Sequence, residues 1–183
     1  DRPEDVYPLV RRAFALARAG TPGPVAVEIP ANFYMLRHEV GDVEFAEAPP
    51  EVPQATATQL DEAAALLGAA EHPLIYAGLG CRAATGPLRA LAEALAAPVA
   101  TTISGKGVFP ESHPLFLWNG LGRSTPPFAR DLFARCDAML AVGCRFGEVA
   151  TASYGLETPA NLIHVDINPA VPNRNYPARL AIT

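Results

Sequence analysis

The chain has 183 residues, half of them hydrophobic and 18% charged, with a formal net charge of −5. That length suits one domain with its own core, or one domain plus a piece of another, and the composition excludes disorder over most of it. The acidic balance offers nucleic acid no basic footprint, no apolar run reaches the roughly 20 residues of a membrane helix, and the start DRPEDVYPLV does not read as a signal peptide.

Residues 4–19 place Val6, Leu9, Val10, Ala13, Phe14 and Ala17 at helical spacing, which predicts a helix with one apolar face. Gly20-Thr21-Pro22-Gly23 ends it, and the alternation of Val25, Val27 and Ile29 predicts a short strand. One helix and one strand cannot bury both apolar faces alone, so residues 1–34 read as the tail of a preceding domain. Residues 35–55 intersperse Glu39, Asp42, Glu44, Glu47 and Glu51 with Pro49, Pro50 and Pro53, and read as an acidic, proline-rich linker.

Residues 56–183 form the body. Thr58-Gln59-Leu60-Asp61 resembles a capping box opening an Ala/Leu-rich helix to Ala70. The pattern then predicts a strand over Leu74–Ala77, a helix over Thr85–Ala96 and a strand over Val99–Ile103. Thr125 as cap and Pro126 in the first turn open another helix. Strands over Ala138–Val142, Leu162–Ile167 and Arg179–Ile182 complete the pattern. Strands alternating with helices imply parallel units joined by right-handed crossovers. The expected class is α/β: a doubly wound, open parallel sheet, Rossmann-like, preceded by an orphan helix and strand.

Ligands of such sheets bind beyond the carboxyl ends of the strands, so those loops carry the information. Gly78-Leu79-Gly80-Cys81-Arg82-Ala83 formally fits G-x-G-x-x-A, which suits either a phosphate at a helix start or merely a tight turn. The acid that a nicotinamide site wants after the second strand is absent; Thr101-Thr102-Ile103-Ser104 stands there. Lys106, the only lysine, lies in Gly105-Lys106-Gly107 and suits a phosphate, a carboxylate partner or open solvent, without a P-loop frame. Arg145 suits a bidentate grip on phosphate or a pair with Glu148 or Asp166. Asp166, at a strand's carboxyl end, suits a ribose or the capping of the next segment. Three cysteines in no CxxC pattern (Cys81, Cys136, Cys144) read as unreactive thiols in a reducing compartment. The four histidines show no metal-ligand spacing, and Ser153 lacks a nucleophile elbow, so neither catalytic nor metal residues are assigned.

The loops in order are Gly23-Pro24-Val25 with Glu28-Ile29-Pro30, Gly78-Leu79-Gly80, Thr102 with Gly105-Lys106-Gly107 and Pro110-Glu111, Gly120-Leu121-Gly122, Gly143-Cys144-Arg145-Phe146, and His164-Val165-Asp166-Ile167-Asn168-Pro169. This succession resembles the thiamine diphosphate-dependent enzymes of the acetolactate synthase group over nearly the whole chain. The resemblance implies the end of a pyrimidine-binding domain, then a central domain. Thiamine diphosphate and Mg2+ would be held in the parent enzyme by residues outside this chain, which would not catalyse alone. It implies a central pocket for FAD or ADP, or the same pocket empty. The positions matching the nucleotide-facing pattern are Gly78, Gly80, Thr102, Gly120, Gly122, Arg145 and Asp166. Two departures, Thr21 in place of an FAD-facing arginine and Gly147-Glu148 in place of Asp-Asp, count against FAD. It further implies a small 2-oxo acid substrate, a cytoplasmic homodimer or homotetramer, and decarboxylation with carboligation. A non-ligating decarboxylase, another carboligase and, remotely, a stand-alone NAD-binding Rossmann enzyme are the alternatives.

Overall fold

A computed structural model describes residues 2–41, 52–122 and 125–183. The chain divides into two compact units, Asp1–Val52 and Pro53–Thr183. Residues 42–51 of the acidic, proline-rich stretch, with Asp42, Glu44, Glu47, Pro49, Pro50 and Glu51, lie outside the described residues.

The first unit holds helix α1 (Val6–Arg18) and a short helix α2 (Ala31–Met35). None of its described residues is buried; Leu9, Phe14 and Leu16 of α1 stay exposed. The strand expected at Val25–Ile29 is not formed: residues 22–30 are irregular. A period-two pattern needs a neighbouring strand to bond to, and the described part of this unit contains none.

The second unit is a six-stranded, all-parallel sheet. Helix α3 (Ala57–Gly68) leads into β1 (Pro73–Ala77), and α4 (Thr85–Leu95) crosses to β2 (Val99–Thr101). Next come β3 (Phe116–Asn119), α5 (Pro127–Ala134), β4 (Ala138–Val142), β5 (Asn161–Val165) and β6 (Leu180–Ile182). The order across the sheet is β3-β2-β1-β4-β5-β6. The direction of winding therefore reverses between β1 and β4, where doubly wound folds take their ligands.

Strand alternation sorts the apolar residues into two cores. Ile75, Ala77, Val99, Leu140 and Ile163 pack under Leu67 of α3 and Leu88 and Ala92 of α4. Leu74, Tyr76, Met139, Ala141 and Leu162 pack on the opposite face with Ala129 of α5, Phe146 and Tyr176. Both faces being covered, the strands read as nearly continuous apolar runs.

Three local expectations change. The capping box of α3 is built by Thr56, not Thr58: Thr56 Oγ1 accepts the Gln59 N–H at 3.2 Å and Gln59 Oε1 accepts the Thr56 N–H at 2.9 Å. Thr125 does not cap α5; its hydroxyl turns back to the preceding loop. β3 has no signal in the sequence, because its four residues sit among turn signals and, among the described residues, pair with one neighbour only.

Candidate functional site

The ladder runs one residue past each strand, which aligns the loops behind it. Gly78 donates its N–H to Val142, Thr102 to Ala77, Gly120 to Thr101, Gly143 to Val165 and Asp166 to Ile182, at 2.6–3.1 Å. Four of the seven residues expected to face a nucleotide are thus the first residues beyond a strand. Gly80, Gly122 and Arg145 follow within two or three positions of a first-loop residue, so all seven lie along the carboxyl edge.

At the winding reversal the loops after β1 and β4 interlock. Gly80 donates its N–H to the Gly143 carbonyl at 3.0 Å. A Cβ on Gly80 would lie 2.6 Å from the Gly143 Cα, and one on Gly78 would overlap the Gly143 carbonyl oxygen. The two backbones touch there, and any side chain would part them. The glycines have a packing role that needs no ligand.

Thr102 Oγ1 accepts the Gly105 N–H at 2.9 Å and closes the turn after β2. Thr125 Oγ1 accepts the Gly122 N–H at 2.7 Å and donates to the Gly120 carbonyl at 3.2 Å, tying those two glycines together. Lys106 takes the carboxylate among its expected partners: its Nζ lies 3.4 Å from Glu111 Oε1, with both groups exposed. Asn119 Nδ2 also donates to Glu111 at 3.1 Å, and with Lys106 beyond it this holds the Glu111 carboxyl below its ordinary range. Asp166 Oδ1 accepts the Asn168 N–H at 2.9 Å, so it caps the next turn. Arg145 pairs with neither Glu148 nor Asp166; among the described residues its exposed guanidinium has no carboxylate partner. Four of the loops that follow the strands also expose apolar side chains: Leu79, Ile103, Val149 and Ile167.

The three thiols are free, Cys81 and Cys144 buried and Cys136 half-buried. Burial pushes Cys81 up to about 11 and Cys136 and Cys144 to about 12, so all three are protonated and unreactive near neutrality. Among the described residues no cluster of His, Cys, Asp and Glu could hold a metal ion, and no helix is long and apolar enough to cross a membrane. A cavity of about 410 Å³ lies against α5, shared by Gly122, Thr125, Phe133 and Leu156. Tyr76 and Asn175 also shape the edge, through hydrogen bonds to Ala150 and Phe146. No motif marks them; only the tertiary contacts do.

Residues 60–183 match the family described as thiamine pyrophosphate enzyme, central domain. The chain belongs to that family. This thiamine pyrophosphate enzyme central domain is 35% identical to a probable acetolactate synthase large subunit of Methanocaldococcus jannaschii, over 99% of the chain and 32% of that protein. It is 35% identical to the acetolactate synthase large subunit of Parasynechococcus marenigrum, over 98% of the chain and 30% of that protein. The corresponding protein of Corynebacterium glutamicum is 36% identical over 92% of the chain and 28% of its own length. The chain thus spans about three tenths of the length of these relatives.

Proposed function

We infer that this chain is the central portion of a thiamine diphosphate-dependent enzyme that decarboxylates a 2-oxo acid and joins the fragment to a second carbonyl compound, as an acetolactate synthase does. The observation that carries this reading is the match of nearly the entire chain, first unit included, to acetolactate synthase large subunits. On this reading residues 1–34 end the pyrimidine-binding domain, and thiamine diphosphate and Mg2+ sit on residues outside this chain. The cofactor supplies the carbanion chemistry when bound, while the protein binds and orients. The parent is a cytoplasmic homodimer or homotetramer.

The carboxyl edge fits an adenine nucleotide such as ADP or the ADP half of FAD. Arg145, without a carboxylate partner among the described residues, supplies a cation for a phosphate, and Leu79, Ile103, Val149 and Ile167 supply apolar surface for a ring. Gly147-Glu148, in place of the Asp-Asp of the FAD-binding pattern, favours ADP over FAD. A second reading, a pocket that serves as ligand-free scaffold, is favoured by the Gly78–Gly80–Gly143 interlock, which explains the glycines by packing alone.

The test is pyruvate consumption by the full-length protein with and without thiamine diphosphate and Mg2+, with products identified. Cofactor-dependent acetolactate is expected; acetaldehyde alone would indicate a decarboxylase. No binding of thiamine diphosphate by calorimetry would overturn the class. Titration with ADP and FAD separates the nucleotide reading from the scaffold: micromolar binding of either removes the scaffold.

A further inference from the structure

His164 lies in β5, 1% exposed, and serves no role assigned so far. Its Nε2 is 2.8 Å from the Cys144 carbonyl oxygen, which can only accept, so Nε2 carries the proton. Among the described residues its buried Nδ1 has no hydrogen-bond partner. The imidazole packs edge-on against Phe146, with ring centroids 4.9 Å apart. Phe146 is itself 1% exposed and has φ +48, a left-handed conformation that a non-glycine residue adopts only when its surroundings hold it there. Tyr76 and Tyr176 pack against the same ring, and Asn175 Nδ2 donates to the Phe146 carbonyl at 2.9 Å.

Arg145 is therefore exposed between two residues that are each held from below: Cys144 by its carbonyl on His164, Phe146 by its ring and its carbonyl. We propose that His164 is a positioning residue that fixes the loop after β4 so that Arg145 is presented to an anionic ligand at the carboxyl edge. This rests on the nucleotide reading of that edge. The hydrogen bond requires the Nε2–H form, and the second ring nitrogen faces an apolar cluster where a charge would be costly. Burial accordingly holds the imidazole below its ordinary range, despite the opposing Cys144 carbonyl and Asp166. Asp166, which follows β5, is the charged group that acts on the imidazole, and Tyr76 and Tyr176 lie behind it, packed on Phe146.

The experiment is ADP titration of the full-length protein and of its His164→Leu, His164→Gln, Arg145→Ala and His164→Leu/Arg145→Ala variants, with hydrogen exchange measured across residues 143–147. Losing one positioning hydrogen bond should weaken ADP binding roughly three- to tenfold in His164→Leu. His164→Gln, which can still donate to Cys144, should recover most of that loss, and the double variant should bind no more weakly than Arg145→Ala alone. Exchange in 143–147 should quicken in His164→Leu while the strands keep their protection. Unchanged ADP affinity in His164→Leu, or additive losses in the double variant, would overturn the proposal. If the unaltered protein does not bind ADP, the nucleotide reading fails by itself; unchanged loop exchange in His164→Leu then overturns the positioning role as well.

Discussion

Gly68 and Gly80 stand for opposite uses of the same residue. Gly68 ends α3 in open space with an ordinary φ, so Gly68→Ala should gain about 0.5 kcal/mol by restricting the unfolded chain. Gly80 has no room, because the Gly143 Cα sits where its Cβ would go; Gly80→Ala should cost about 3 kcal/mol, since backbone must move to admit it. Urea midpoints of the two variants should move in opposite directions. The Gly-x-Gly pattern was legible in the sequence, but its reason was not. A phosphate cradle and a tight turn both use glycine, and the actual neighbour comes from a loop distant in the chain. Arg145 was legible as a candidate cation for the same reason any arginine after a strand is. That it pairs with neither Glu148 nor Asp166 depends on where those two point, which spacing does not encode.

At the scale of elements, helix starts separate what is local from what is not. Thr56 and Thr58 both precede α3's apolar run, and only Thr56 has an extended backbone with its hydroxyl on the Gln59 N–H. Thr56→Ala should therefore cost about 1 kcal/mol, whereas Thr58→Ala, inside the helix, should be neutral or slightly stabilising. Thermal unfolding of the two variants distinguishes them. Strands show the same limit. β1, β4 and β5 are buried on both faces and announce themselves as apolar runs, whereas β3 is short and paired only with β2. Its exposed Trp118, packed at 6.1 Å against Phe128 of α5, reads as an isolated aromatic until the fold puts the two together. Val25–Ile29 errs in the other direction, with strand alternation but no described partner.

At the scale of the molecule, both apolar cores draw their residues from Ala55 onward. Removing residues 1–52 should therefore leave a chain that still unfolds cooperatively, with its midpoint shifted by only a few degrees; calorimetry of the truncated chain checks this. Loss of the cooperative transition would mean the first unit contributes to the core. Acid should weaken the second unit in two steps. His164 is held below its ordinary 6.5 by burial, so the unfolded chain takes up a proton that the folded one refuses. Stability is full above that value and falls as the pH drops through it. Asp137 is held below its ordinary 3.8, chiefly by the N–H of Glu71 and then by that of His72, which tie the entry of β1 to that of β4. Its contribution is present above 3.8 and is lost as the pH falls further. Urea midpoints at about pH 7.5, 5.5 and 3.5 should decrease in that order, and His164→Leu should flatten the upper step alone.

The sequence by itself determined the α/β class and the parallel sheet, because helical and alternating periods are properties of neighbouring residues. It also determined the family, since six loop motifs keep their order along the chain. Only the tertiary structure decided which loops meet. The β3-β2-β1-β4-β5-β6 order sets Gly78 and Gly80 against Gly143, and packing then places Phe146 on His164. These are contacts between residues far apart in the chain, so no local period records them. Their energies depend on the close approach of two backbones and on a buried ring with one hydrogen bond, which exist only once the sheet has formed.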